Sequence, residues 1–245
     1  TNRKIVDIIS DVNLAYTENA RRNLLGSGLE NGRVFVTGSP MAEVLRANIE
    51  KIEKSDILNR LGLEKKKYIL LSAHREENID SEKSFFTLFE SVNALAEKYD
   101  MPIIYSCHPR SRKKLEETGF KLDKRVVLSE PFGFRDYCAL QLNSFAVVSD
   151  SGTLPEESAF FIKEGKPFAA VCIRESTERP EALENGCFTL AGINKNGLLN
   201  AVDAAVKALN GGEIGSTPKD YEDENVSVKT VKIIQSMAQV LKKSY

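Results

Sequence analysis

Apolar residues fall along this chain in two patterns that alternate from about residue 33 onward. Short, continuously apolar runs come first: Arg33-Val-Phe-Val-Thr-Gly38, Lys67-Tyr-Ile-Leu-Leu-Ser-Ala73, Pro102-Ile-Ile-Tyr-Ser-Cys107, Arg125-Val-Val-Leu-Ser129, Phe145-Ala-Val-Val-Ser149, Pro167-Phe-Ala-Ala-Val-Cys-Ile173 and Phe188-Thr-Leu-Ala191. Unbroken runs of this length are the mark of strands covered on both faces, as in a parallel sheet. Between them lie segments of helical period. Ser81 to Lys98 carries apolar residues at 85, 88, 89, 92, 95 and 96, with Ser81 placed to cap it. Further helices are predicted at 110–118, 135–143, 154–163, 178–185 and 197–209. Alternating units of this kind predict an α/β fold, a doubly wound parallel-sheet (Rossmann-like) domain. The ends differ. Residues 1–31 start in a helical pattern (Ile5, Val6, Ile8, Ile9), pass a strand-like Val12-Asn-Leu-Ala-Tyr16 and enter a helix at 18–26. Residues 222–243 read as one amphipathic helix after the turn-rich link 210–218.

Composition narrows the functions open to such a fold. Lys and Arg total 34 against 35 Asp and Glu, a net charge of -1. A near-neutral chain has no basic field for gripping nucleic acid and no polybasic face for anionic membranes, so neither is an expected partner. No apolar run approaches a membrane span, and Thr1 to Asp11 is mixed polar and charged, unlike a secretory leader. The four cysteines, Cys107, Cys138, Cys172 and Cys187, are far apart and sit in apolar runs or a helix. They read as reduced core cysteines of a cytoplasmic protein. No clustered ligands suggest a metal, and no cofactor is expected.

The chemistry concentrates in the loops after the strands, where open parallel sheets bind ligands. These loops are Ala73-His-Arg-Glu-Glu-Asn78, Cys107-His-Pro-Arg110, Glu130-Pro-Phe-Gly-Phe134, Ser149-Asp-Ser-Gly-Thr-Leu-Pro-Glu-Glu157 and Ile173-Arg-Glu-Ser-Thr-Glu-Arg-Pro-Glu181. Both histidines, His74 and His108, fall in them. Ser151 and Gly152 precede a helix whose open N–H groups and dipole suit a diphosphate, and Pro155 suits its first turn. Glu156 and Glu157 lie in that turn, as ribose acceptors or as ordinary first-turn acids. Arg174 and Arg179 are suited to a phosphate fork, or else pair with Glu175, Glu178 and Glu181 at the surface. Cys107 and His108 are adjacent along a strand, which points them to opposite faces, so they do not read as a nucleophile pair.

Taken together, HRxEN at His74–Asn78, SDSG-x3-EE at Ser149–Glu157 and STERPE at Ser176–Glu181 resemble the non-hydrolysing UDP-N-acetylglucosamine 2-epimerase family. Thr1-Asn-Arg-Lys4, Val36-Thr-Gly-Ser39 and His108-Pro109 extend the resemblance over nearly the whole chain. It implies the C-terminal half of a GT-B-like two-domain fold. Residues 1–37 would be a remnant of the N-terminal domain, 38–210 the UDP-binding domain, and 211–245 a linker and helix returning to the first domain. It further implies Ser151 and Gly152 at the diphosphate, Glu157 at the ribose, Arg179, His108 and His74 near the phosphates or sugar, and His74 with Arg3 as catalytic residues. Arg3 matches the arginine after the family's catalytic Pro-Glu-Glu, whose carboxylates are expected upstream of Thr1. The implied reaction inverts C2 of the sugar by eliminating UDP and adding it back, and the implied full-length enzyme is a homodimeric isomerase.

Many bacterial members read His-Arg-Arg-Glu-Asn where this chain has Glu76 third, which puts allosteric regulation by UDP-sugar in doubt. The same spelling occurs in relatives acting on UDP-N-acetyl-L-talosamine. Alternatives from other classes are a GT-B glycosyltransferase donor domain and a non-catalytic UDP-sugar binding module, and a Pro-Glu-Glu encoded before Thr1 would decide for the epimerase.

Overall fold

In a computed structural model the structure describes residues 2–241, and the chain divides into two compact units, residues 1–47 with 217–245 and residues 48–216. The first unit opens with α1 (Asn2–Ile9), β1 (Asn13–Ala15), α2 (Glu18–Gly26) and β2 (Val34–Val36). Thr17 caps α2, its side chain accepting from the Ala20 N–H at 3.1 Å. The run at 33–38 was expected to lead the main alternation. It instead pairs in parallel with β1 as a separate two-stranded sheet, Asn13 opposite Val34 and Ala15 opposite Val36. The reason is local: this run finds its partner within the same unit, in the strand-like segment 12–16. A long helix absent from the sequence expectations, α3 (Met41–Glu53), follows, and then the short α4 (Ile57–Leu61), closed by Gly62 in the left-handed region at φ 63°.

The second unit is built on a six-stranded sheet of β3 (Ile69–Ser72), β4 (Ile103–Ser106), β5 (Val126–Ser129), β6 (Ala146–Ser149), β7 (Ala170–Cys172) and β8 (Thr189–Leu190). Its order is β5-β4-β3-β6-β7-β8 and every pairing is parallel. The helices between are α5 (Glu76–Ile79), α6 (Glu82–Tyr99), α7 (Pro109–Thr118), α8 (Phe134–Asn143), α9 (Leu154–Lys163), α10 (Pro180–Glu184) and α11 (Lys195–Asn210). Strands run outward in both directions from the β3–β6 pair, which is the doubly wound, Rossmann-type arrangement with its switch point between those two strands.

Period two along each strand explains the unbroken apolar runs. Ile69, Leu71, Ile103, Tyr105, Val148 and Val171 join one buried cluster with Phe85, Leu88, Phe89 and Val92 of α6 and Leu198, Ala201 and Val202 of α11. Leu70 and Val147, one residue out of step, are equally buried yet stand outside that cluster, on the opposite face. Both faces are therefore covered. Ser81 caps α6 as expected, accepting from the Ser84 N–H at 3.4 Å, and Asn194 caps α11, accepting from the Gly197 N–H at 2.7 Å.

The last helix, α12 (Val226–Leu241), belongs to the first unit. There Ser39 N–H donates to Asp220 O at 3.1 Å, and Arg46 holds Glu224 through Nε and Nη2 at 3.0 and 3.1 Å. Residues 242 and 243 of the expected helix lie outside the described residues. Val228, Val231, Ile234 and Val240 on α12, like Ile5, Val6, Ile8 and Ile9 on α1, are exposed. No helix among the described residues is long and apolar enough to cross a membrane.

Candidate nucleotide-sugar site

The register of the central pair positions the site. Ser72 of β3 lies opposite Ser149 of β6, so the residues that leave the two strands, Ala73-His74 and Asp150-Ser151, emerge side by side. At this edge of the second unit is a cleft of about 430 Å³. It is lined by Ser72 and His74 after β3, Ser106 and His108 after β4, Pro131 and Phe132 after β5, Phe134 and Tyr137 of α8, and Ser151, Thr153 and Glu157 at the start of α9. The loops after four successive strands thus converge, as the topology requires.

Each side chain is held by its element. Proline at the start of α7 lets the chain turn there, and His108 caps that helix, its Nδ1 accepting from the Arg110 N–H at 3.3 Å. Cys107, its neighbour, is buried in the core cluster, so the two do point apart. Ser151 N–H donates to Ser149 Oγ at 3.0 Å, and the Ser151 hydroxyl lies 2.9 Å from Thr153 Oγ1. No side chain caps the first turn of α9, and Pro155 sits in that turn. The helix thus turns an uncapped, positively polarised end to the cleft. Gly152 stands beside it, where an added methyl would meet only Arg174 Nη1, at 4.0 Å.

Glu157 is buried, with Gln141 Nε2 donating to it at 2.6 Å and Thr153 Oγ1 at 2.7 Å. Burial pushes its carboxyl above the usual range, and the two hydrogen bonds oppose that shift. The neighbouring Glu156, 4% exposed, takes Arg179 Nε at 2.8 Å. Two arginines were open to a surface pairing with Glu175, Glu178 and Glu181. Arg174 does pair with Glu178, at 2.7 Å, but it is buried, and Arg179 pairs instead with Glu156. The reason is α10, which starts at Pro180 rather than 178 and leaves Arg179 at its cap, beside the buried start of α9.

The four cysteines are free and buried, and burial raises each thiol, Cys172 to about 11 and Cys187 to about 12. They are structural. Among the described residues no three His, Cys, Asp or Glu side chains are placed to share a metal ion.

A family model described as UDP-N-acetylglucosamine 2-epimerase matches residues 1–235. The chain belongs to the UDP-N-acetylglucosamine 2-epimerase family. The UDP-N-acetylglucosamine 2-epimerase of Methanocaldococcus jannaschii is 33% identical over 210 residues, covering 82% of this chain and 56% of its own length. Among solved structures, the UDP-N-acetylglucosamine 2-epimerase of Rickettsia bellii superposes with a TM-score of 0.86 at 37% identity, covering 99% of this chain and 64% of that one. The M. jannaschii UDP-GlcNAc 2-epimerase in complex with UDP-GlcNAc and UDP gives a TM-score of 0.83 at 29% identity, covering 96% of this chain and 64% of that one. The chain therefore spans between 56% and 64% of the length of these relatives.

In this epimerase-family chain the cleft brings together His74, His108, Ser151 and Glu157 of the expected site residues. Gly152 precedes α9, and Arg179, at the cap of α10, pairs with Glu156 of α9; neither lines the cleft. Arg3 is exposed on α1 of the first unit. Sequence reasoning passed over Asp150, which is fully buried. Its Oδ2 accepts from His74 N–H and Arg75 N–H, each at 2.9 Å, and from Asn78 Nδ2 at 3.0 Å. Asn78 also donates to Ile173 O at 3.3 Å. One carboxylate and one amide thus tie the loops after β3, β6 and β7, which explains why HRxEN and SDSG occur together. The signal was present: an acid at the end of a fully apolar strand has to find buried donors. Of the aromatic residues lining the cleft, Phe132 and Phe134 belong to a loop run already singled out, while Tyr137 was passed over because an aromatic residue within a helix looks like core material.

Proposed function

We propose that this chain carries the nucleotide-holding part of a UDP-sugar 2-epimerase, an isomerase that inverts C2 of UDP-N-acetylglucosamine by eliminating UDP and adding it back. The observation that carries the proposal is the cleft at the switch point, formed by the family's own motif residues on a fold whose relative from M. jannaschii was solved with UDP-GlcNAc and UDP. The same matches favour an epimerase over a glycosyltransferase donor domain.

In this proposal the diphosphate lies at the start of α9, against the amides around Ser151 and Gly152. Helix dipoles and N–H groups stabilise it as the leaving group without a metal. Arg179 swings from Glu156 to a phosphate oxygen, and Glu157, fixed by Gln141 and Thr153, accepts from the ribose. The flat apolar walls of Phe132, Phe134 and Tyr137 suit a stacked uracil. His74 and His108 stand within the cleft, where the reacting sugar would meet them. Arg3 as a catalytic residue, the division into an N-terminal remnant at 1–37, a UDP-binding domain at 38–210 and a returning helix at 211–245, the homodimer and the cytoplasmic setting rest on the resemblance.

The test is a competition. UDP, UDP-N-acetylglucosamine and, as control, ADP are titrated against the chain by calorimetry. Saturable binding of the two uridine compounds with ADP excluded is the expected result. Equal affinity for ADP would remove the uridine reading.

A further inference from the structure

The chain has two histidines, and both line the same cleft. Their hydrogen-bond surroundings are opposite. His108 Nδ1 accepts from the Arg110 N–H at 3.3 Å, and that bond caps α7. A ring nitrogen that accepts carries no proton, so the neutral His108 ring is protonated on Nε2.

At His74 the constraint comes from Asp150. Its Oδ2 is occupied by the His74, Arg75 and Asn78 donors. Its Oδ1 is buried and without a hydrogen-bond partner. An ionised oxygen left that way bears its full desolvation cost. The donor within reach is His74 Nδ1, 3.2 Å away, needing only a small turn of a ring that is half exposed. The other neighbour of Nδ1 is the Ser72 hydroxyl at 3.5 Å, which is farther and uncharged. A charged acceptor outcompetes it for the ring proton.

We propose that Asp150 is a positioning residue that holds His74 as the Nδ1–H tautomer, so that the two histidines take opposite roles in the cleft. His74 presents a bare Nε2, a proton acceptor. His108 presents a protonated Nε2, a donor. The consequence for a bound sugar nucleotide rests on the proposed function. His74 can take up a proton and keep every bond it has, because the resulting imidazolium retains Asp150 as its counter-ion. His108 can do so only by protonating Nδ1 and giving up the α7 cap. His74 is thus the ring that exchanges protons with the sugar nucleotide, and His108 is a fixed donor to one of its oxygens.

The experiment reads ring protons directly and needs no nucleotide, so it stands or falls apart from the UDP proposal. Long-range ¹H–¹⁵N correlation spectra of the ¹⁵N-labelled chain are recorded where both rings are neutral, with His108→Gln to assign the signals. The expected result is His74 as Nδ1–H and His108 as Nε2–H. In Asp150→Asn the amide oxygen keeps the loop N–H donors, while its NH₂ turns to His74 and makes Nδ1 an acceptor. His74 then shifts to Nε2–H, and His108, the internal control, stays unchanged. If Asp150→Asn does not fold, the wild-type spectrum alone decides. His74 found as Nε2–H in the wild type, or unchanged in a folded Asp150→Asn, would overturn the proposal.

Discussion

Gly152 separates binding from folding at a single position. It is not among the glycines at positive φ, and an added methyl meets nothing nearer than Arg174 Nη1 at 4.0 Å. Gly152→Ala should therefore leave stability within about 0.5 kcal/mol of the wild type. If a phosphate sits on the adjacent amides, the same methyl stands in its path, and UDP affinity should fall. A denaturation curve and a UDP titration on one sample check both halves, and a loss of stability as large as the loss of affinity would contradict them. Glu157 gives a prediction in pH. Its carboxyl is raised above 4.5 by burial, so the folded chain binds this proton more tightly than the unfolded chain. Stability from this group is complete below 4.5 and is lost as pH rises from there through the raised value. Glu157→Gln removes that loss. Its urea midpoint should gain on the wild type as pH climbs above 4.5, and parallel curves for the two proteins would mean that the carboxylate is not buried as described.

At the scale of elements, helices were legible even where little of their surface is apolar, as at Glu18–Gly26 and Pro109–Thr118. The expected 18–26 and 154–163 match Glu18–Gly26 and Leu154–Lys163, and Ser81 caps α6 as its position in the sequence predicts. The strand runs were legible because burial on both faces leaves no polar alternation to confuse them. What could not be read was pairing. Nothing in Val34–Val36 tells it to join Asn13–Ala15 rather than the large sheet, since partner choice is decided by tertiary proximity. Met41–Glu53 went unassigned although the signal was there: Ala42, Leu45, Ile49 and Ile52 recur at helical spacing, and Ala42, Leu45 and Ile52 are buried. The site was legible in its motifs and hidden in its supports. Ser151, Glu157 and His74 stand out by residue type, but Asp150 and Gln141 act through buried hydrogen bonds, which only the β3–β6 register and the packing of α8 on α9 create. The start of α11 tests how strictly such local devices are set. Gly197 lies where a methyl would come within 2.5 Å of Ala191 O, a backbone atom. Gly197→Ala should cost more than Asn194→Ala, whose lost cap is worth about 0.5–2 kcal/mol. Chemical denaturation of the two variants gives the order, and the reverse order would show that the loop before α11 yields easily.

Across the whole molecule, the features on which the proposed nucleotide binding rests all lie in the second unit: a switch point, an uncapped helix start, buried carboxylates fixed in place, and aromatic walls. The exposed apolar side chains of α1 and α12 lie in the first unit, where an uncovered stripe favours self-association. Sedimentation of the 245-residue chain should therefore show concentration-dependent association, and replacing Val231 and Ile234 by polar residues should weaken it. A monomer at every concentration would count against that expectation. The central claim is that UDP is held at the start of α9 with Arg179 on its phosphates. Calorimetric titration of UDP into the wild type and Arg179→Ala, each with and without a chelator, tests it most directly. A direct charge-assisted contact is worth roughly 1.5–3 kcal/mol, so the variant should bind about tenfold to a hundredfold more weakly, with the wild type unaffected by the chelator. Unchanged affinity in Arg179→Ala, or wild-type binding that vanishes with the chelator, would contradict the account.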